Sequence, residues 1–269
     1  MAEQPLTLPP GTAFDLEELD PAYTGTYTSK QEAKAQIKQN LERLTDLQEM
    51  LYAQDRRALL IVLQAMDTAG KDGTIKHVMG AFNPQGVQVW PFKVPSTEEL
   101  AHDYLWRVHK VTPRRGLIGI FNRSHYEDVL VVRVKELVPE VTWRKRYAHI
   151  NDFERLLTDN GVTIVKFFLH ISRAEQAARL RKRQMNPSKQ WKFSPGDLDD
   201  RKLWDNYMRA YEEALTKCNT EHAPWYVIPA NRKWYRNLAV AQVLVQTMET
   251  LDLRYPEPLP DIESYIIPE

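Results

Sequence analysis

Cysteine, glycine, net charge and long apolar runs are all scarce in this chain, and each scarcity closes off a class of protein. The single cysteine, Cys218, allows no internal disulfide framework and no cysteine-based zinc site, which fits a reducing, cytoplasmic setting. No apolar run approaches the roughly 20 residues of a membrane span, and the first ten residues have neither the basic start nor the apolar stretch of a signal peptide. No membrane partner is therefore expected. The seven histidines are scattered without H-E-x-x-H or comparable spacing, which argues against a zinc enzyme. Neither G-x-S-x-G nor G-x-G-x-x-G occurs, against hydrolase and dinucleotide-binding readings.

Charge of either sign is missing only in the sum. The 269 residues carry 36 Lys+Arg and 36 Asp+Glu, a balance unlike that of a basic nucleic-acid coat, so no nucleic-acid partner is expected. The ends, however, are acidic. Residues 1–29 hold five acids and no Lys or Arg, and residues 252–269 hold five acids against Arg254 alone, so the residues between carry +9. Acidic, proline-containing ends around a basic centre imply a body built to meet an anion.

The pattern along the chain reads as one large α/β unit between an irregular acidic arm (1–29) and an acidic tail (252–269). Leucine and isoleucine spacings of three and four predict a helix from about Ser29 to Asp55. Short apolar runs at 58–63, 87–90, 117–121, 162–171 and 225–228 read as buried strands. Helices are expected between them: from the capping box Ser96-Thr-Glu-Glu99 to about His109, from Pro139 to Asp159, after Ser172, after Ser194-Pro195, and from Trp234 to Leu251. Five strands separated by helices predict a parallel sheet covered on both faces, a three-layer α/β/α fold.

In such sheets ligands bind beyond the carboxyl ends of the strands. After the first strand comes Gln64-Ala-Met-Asp-Thr-Ala-Gly-Lys-Asp-Gly-Thr74, with two of only ten glycines, a lysine and then a helical run. This is the layout in which loop N–H groups and a helix start cradle phosphates, with Ala69, Gly70, Lys71, Asp72, Gly73 and Thr74 as the phosphate-binding set. It departs twice from G-x-x-x-x-G-K-[ST]: Ala65 holds the first glycine position and Asp72 the Ser/Thr position. The bland alternative is a glycine-bearing turn with a solvated lysine. Asp67 sharpens the case, because a carboxylate inside a phosphate loop repels its ligand unless a cation such as Mg²⁺ intervenes; otherwise Asp67 caps the helix or orients the acceptor.

The third strand runs into Phe121-Asn-Arg-Ser-His-Tyr-Glu-Asp128. Glu127 and Asp128 read either as first-turn helix acids favoured by the dipole or, with Arg123 and Arg133 beside them, as metal and phosphate groups. Two basic runs follow different strands. Residues 107–115 carry four Lys or Arg; residues 181–192 carry five cations and no acid, among them Arg183 and Lys192. Charge runs are usually solvated faces, yet the second sits where phosphate-transferring kinases place a mobile lid, here about 181–217. Trp90, Trp106 and Trp191 are open candidates for stacking on a base.

Taken in order, these segments, with Asn83-Pro-Gln-Gly86, resemble the polyphosphate kinase 2 family over about residues 30–251. The resemblance implies a P-loop kinase fold, dependence on Mg²⁺ or Mn²⁺ in its place, and reversible phosphoryl transfer between inorganic polyphosphate and adenine or guanine nucleotides. It is closest to the subclass taking AMP to ADP and ATP. It places Asp67, Gly70 and Lys71 on the Walker A loop, Asn122 and Arg123 on the Walker B segment, and Arg183 and Lys192 in the lid. Many relatives have Asp at position 122, so Asp128 is expected to join Asp67 as metal ligand, with Glu127 setting nucleotide choice. Arg123, Arg133 and Arg183 are expected to stabilise the transferring group, and a homo-oligomer, dimer or tetramer, is implied. An ATP-dependent nucleoside monophosphate kinase and a non-catalytic polyanion or nucleic-acid binder remain as alternatives.

Overall fold

A computed structural model of the chain describes residues 4–268. Its elements are α1 (Lys30–Gln54), β1 (Ala58–Gln64), α2 (Lys71–His77), β2 (Val87–Pro91), α3 (Thr97–Leu100), α4 (Trp106–His109), β3 (Ile118–Asn122), α5 (Val131–Val134), α6 (Glu140–Asp159), β4 (Val162–His170), α7 (Arg173–Gln184), α8 (Pro195–Lys202), α9 (Trp204–Lys217), β5 (Trp225–Pro229) and α10 (Lys233–Glu249). The five strands form one sheet in the order β2-β3-β1-β4-β5, every pairing parallel. Helices cover both faces, giving a three-layer α/β/α fold.

The central position of β1 follows from its composition. All seven of its residues are buried, and only a strand flanked by strands and covered by helices can bury an unbroken apolar run. β1 lies between β3 and β4, with Leu63 opposite both Asn122 and Phe167. That register brings the ends of β1 and β3 to the same level, so the loops after them meet.

One expected helix is two. The Ser96–Glu99 capping box forms with both hydrogen bonds, but α3 ends at Leu100. Asp103 then turns the chain, its carboxylate accepting from Leu105 N at 3.0 Å and its carbonyl from Trp106 N at 3.1 Å. A local side-chain acceptor outcompetes the continuing helix.

The N-terminal arm lies on the body. Phe14 and Leu16 are buried, their backbone N–H groups donating to Thr216 Oγ1 and Glu212 Oε1, both at 3.0 Å. Val227 N of the edge strand β5 donates to Leu6 O at 2.7 Å, which satisfies a group that would otherwise be left unpaired at the sheet edge. Among the described residues no helix is long and apolar enough to cross a membrane.

Candidate active site

The loop after β1 is held from beneath by cations. Lys71, at the start of α2, folds back so that its Nζ donates to Ala65 O at 2.8 Å. From α7, Arg179 donates to Thr68 O at 3.0 Å and Ala69 O at 2.8 Å, and also to Ala230 O and Asn231 O beyond β5. From α10, the buried Arg236 donates to Ala69 O at 3.3 Å. With these carbonyls turned inward, the N–H groups of Lys71, Asp72 and Gly73, which have no acceptor within the helix, are left for an anion. Gly70 makes this possible. At φ +118°, a β-carbon there would lie 1.8 Å from Arg236 Nη1. Thr74 is buried and bonds back to Gly70 O.

Burial pushes the Lys71 ammonium down to about 8, with Arg123 adding to the effect and Asp67 and Glu127 opposing it. Burial and Arg179 together push Arg236 down to about 10. Cations so strongly displaced by burial mark the loop as a functional-site candidate.

The loop after β3 supplies the other half. Arg123 adopts φ +64°, a conformation L-residues seldom take outside functional sites. The turn aims its guanidinium across to Asp67 Oδ1 at 2.7 Å, with Glu127 Oε2 at 3.9 Å from the other nitrogen. Burial opposes the Arg123 charge, but Glu127 and Asp67 outweigh it and hold the guanidinium charged. Burial raises the Glu127 carboxyl against the pull of Arg123 and Lys71. The Gln64 amide, turned to satisfy both its atoms, donates to Glu127 Oε1 at 3.0 Å and accepts from Ser124.

Asp128 lies one residue on and faces elsewhere. Its carboxylate and its carbonyl accept from Arg146 Nη1 at 2.9 and 3.0 Å. Burial pushes it up to about 6 against Arg146 and Arg107. It opens on a cavity of about 520 Å³ lined also by Leu100, His102, Tyr104, Val141 and Lys145. The expected pairing of Asp67 with Asp128 is therefore not what the fold assembles. Consecutive residues in the tight turn over His125–Asp128 point in different directions, and the acid turned to Asp67 and Lys71 is Glu127.

The remaining expected residues divide. Asp72 accepts from Asn122 Nδ2 at 3.1 Å and from Lys192 Nζ at 2.8 Å, so the segment between α7 and α8 reaches the phosphate loop. Arg183 is paired with Asp197 at 3.0 Å and with Lys192 O. Arg133 is drawn away, bonded to Glu213 at 2.5 Å and Tyr147 and lying on the Trp143 ring. Trp106 stacks on His102, and Lys110 covers its ring at 4.0 Å; Trp191 stays 77% exposed. Among the described residues no three His, Cys, Asp or Glu gather as a metal cage. Asp67 and Glu127, both turned to Arg123, fit instead a small divalent cation that takes one or two carboxylates and completes its shell with water and phosphate oxygens.

Arg179 and Arg236 escaped the sequence reading, since neither lies in a motif or charge run. The signal was present in Gly70 and Gly73, whose missing side chains make room for the Arg236 guanidinium.

A phosphate loop with a lysine, an acid pair bridged by arginine and a basic segment folded over them define a phosphoryl-transferring kinase. The polyphosphate kinase 2 family profile matches residues 27–256, and this chain belongs to that family. It is similar to a Meiothermus ruber protein named AMP/ADP-polyphosphate phosphotransferase, at 55% identity over 96% of this chain and 97% of that one. A Rhodopseudomonas palustris protein named ADP-polyphosphate phosphotransferase is 47% identical over 93% of this chain and 91% of its own. The crystal structure of polyphosphate kinase 2 from Arthrobacter aurescens TC1 superposes with a TM-score of 0.92 at 47% identity, covering 96% of this chain and 92% of that one.

Proposed function

We propose that the protein transfers a phosphoryl group reversibly between inorganic polyphosphate and AMP or ADP, with Mg²⁺ present, as a cytoplasmic homo-oligomer. The observation that carries the polymer reading is that the basic segment 181–192 reaches Asp72 in the loop after β1 through Lys192. Burial and the neighbouring Arg179, Lys182, Lys189 and Arg236 all push the Lys233 ammonium down. Lys182, Lys189 and Lys233 form no ion pair among the described residues. A track of such cations leading from the phosphate loop suits a chain with about one charge per phosphate.

Lys71 and the first N–H groups of α2 hold the reacting phosphates. Asp67 and Glu127 would hold Mg²⁺, which when bound neutralises charge on the phosphates and draws donor and acceptor into line. Arg123, kept charged by its two acids, faces the charge that spreads over the transferring group. The nucleoside is assigned to the cavity beside Asp128, where the carboxylate would accept from a purine amino group. The segment 181–217 is the lid, with Lys192 and Arg183 as its cations, and Arg133 supports α9 from outside the reacting set. The unit carrying these parts is 30–251, with 1–29 as arm and 252–269 as tail.

Product analysis with polyphosphate and either AMP or ADP, without any nucleoside triphosphate and with or without Mg²⁺, tests the proposal. ADP and ATP formed only with Mg²⁺ are expected. Turnover that requires ATP as donor would replace it with a nucleoside monophosphate kinase; magnesium-independent binding without turnover would leave a polyanion binder.

A further inference from the structure

Within the six residues Arg123–Asp128 the side chains divide sharply. Arg123, Glu127 and Asp128 face the site and its cavity, while His125 and Tyr126, at 1% and 0% exposure, point into the protein. They meet a network in which every side chain is fully buried. Lys166 of β4 donates its three hydrogens to Tyr126 Oη at 2.8 Å, Glu154 Oε2 at 2.5 Å and Cys218 O at 2.7 Å. Glu154 of α6 accepts on its other oxygen from Tyr126 Oη at 2.9 Å and lies 3.2 Å from His125 Nε2. Lys166 Nζ sits 5.2 Å from both the Tyr126 and the Trp225 ring centres, and those rings pack edge to face at 4.7 Å.

Such an arrangement is a poor way to gain stability. Taking a lysine and a glutamate out of water costs most of what their attraction returns, and well-packed apolar residues of similar volume often serve as well or better. What the network does accomplish is directional. Each lysine proton has an acceptor, so Tyr126 has one satisfied position, and that position is shared by α6, β4 and the chain after α9. The turn cannot rotate to present other residues without leaving one hydrogen of the buried Lys166 ammonium and one oxygen of Glu154 short of a partner.

We infer that Tyr126, Glu154 and Lys166 are positioning residues that fix the direction of the Arg123–Asp128 turn, keeping Arg123 and Glu127 on Asp67 while Asp128 faces the cavity. The inference rests on the phosphotransferase reading above. Neither side chain of the buried pair touches substrate. Their effect is on geometry, and a displacement of about 1 Å at reacting groups costs about 10²-fold in rate.

The test uses the full chain and two variants: Tyr126→Phe, which keeps the ring and deletes the hydroxyl, and the charge-free double variant Glu154→Leu with Lys166→Met. Unfolding midpoint, kcat and the KM for polyphosphate are measured for each. Both variants are expected to fold, the double variant with a midpoint close to wild type. Their kcat should fall about 10-fold to 100-fold while the polyphosphate KM, set by the phosphate loop and lid, stays within about twofold. A folded variant with kcat within twofold of wild type overturns the inference. So does failure of both variants to fold, since the network would then serve stability. If only the double variant unfolds, Tyr126→Phe decides by the same criterion. Absence of polyphosphate-dependent turnover in wild type would instead sink the functional reading.

Discussion

The two basic runs have similar composition and opposite fates. In residues 107–115, Arg107 is paired with Glu99 and bonded to Lys93 O, Lys110 lies on Trp106, and Arg114 reaches Asp55 and Arg115 O. These cations are engaged in holding surface loops together. In residues 181–192, Lys192 reaches Asp72, Arg183 braces the segment between α7 and α8 through Asp197, and Lys182 and Lys189 form no ion pair among the described residues and help push the Lys233 ammonium down. What separates the two runs is where their paired cations reach, the first to nearby surface loops and the second, through Lys192, to Asp72 in the loop after β1, and that depends on neighbours distant in the chain.

The comparison breaks most visibly at the phosphate loop itself. Asp67→Asn or Lys71→Met should lower turnover by on the order of 10³-fold, and Arg123→Met by about 10²–10³-fold, with circular dichroism unchanged. Wild-type-like rates in any of these folded variants would remove that residue from the reacting set.

A smaller effect should separate the two runs directly. Replacing Lys182, Lys189 and Lys233 together by serine should raise the polyphosphate KM about tenfold or more. It should also flatten the dependence of that KM on salt, because fewer counterions are released on binding. The AMP KM should not move. Arg114→Ala with Arg115→Ala should leave both constants as they are, and a rise in the polyphosphate KM there would erase the distinction.

Protonation gives a third handle. Lys71 is pushed down to about 8 by burial and by Arg123, so polyphosphate affinity should weaken above about pH 8 as the ammonium is lost. The sign for stability is the reverse. Between about 8 and the ordinary value of 10.5 the unfolded chain binds the proton more tightly, so stability of the free protein should rise with pH there and be insensitive to Lys71 below it. Thermal unfolding of wild type and Lys71→Met across pH 7–10 measures the difference; parallel curves would contradict it. The smallest effect belongs to the exposed Arg114–Asp55 pair. Arg114→Ala should shift the unfolding midpoint by no more than about 2 °C.

Much of this could be read from residue order. The unbroken apolar run Ala58–Leu63 implied a covered central strand, and a lysine preceded by glycine directly after it implied a phosphate loop. The caps at Ser96, Ser172 and Ser194 each form as expected, since a cap is settled within four residues. The break at Asp103 was not foreseen, although its cause is equally local. Arg133 was expected beside the acids for its place in the segment, and Asp128 to make up for Asn122, yet the fold pairs each elsewhere. In a tight turn neighbouring side chains diverge, and each is claimed by whatever partner the fold brings near, Glu213 for one and Arg146 for the other.

The sequence by itself therefore determined the layered α/β architecture and the family, because these rest on local periodicity and on short ordered motifs. Only the tertiary structure decided which acid of Glu127 and Asp128 faces Asp67, that Arg179 and Arg236 underlie the loop, and which basic run reaches Asp72. Electrostatic pairing acts through space over a few ångströms. The partners concerned, such as Ala69 and Arg236, stand on opposite sides of the chain's length and meet only when β1 and α10 have packed.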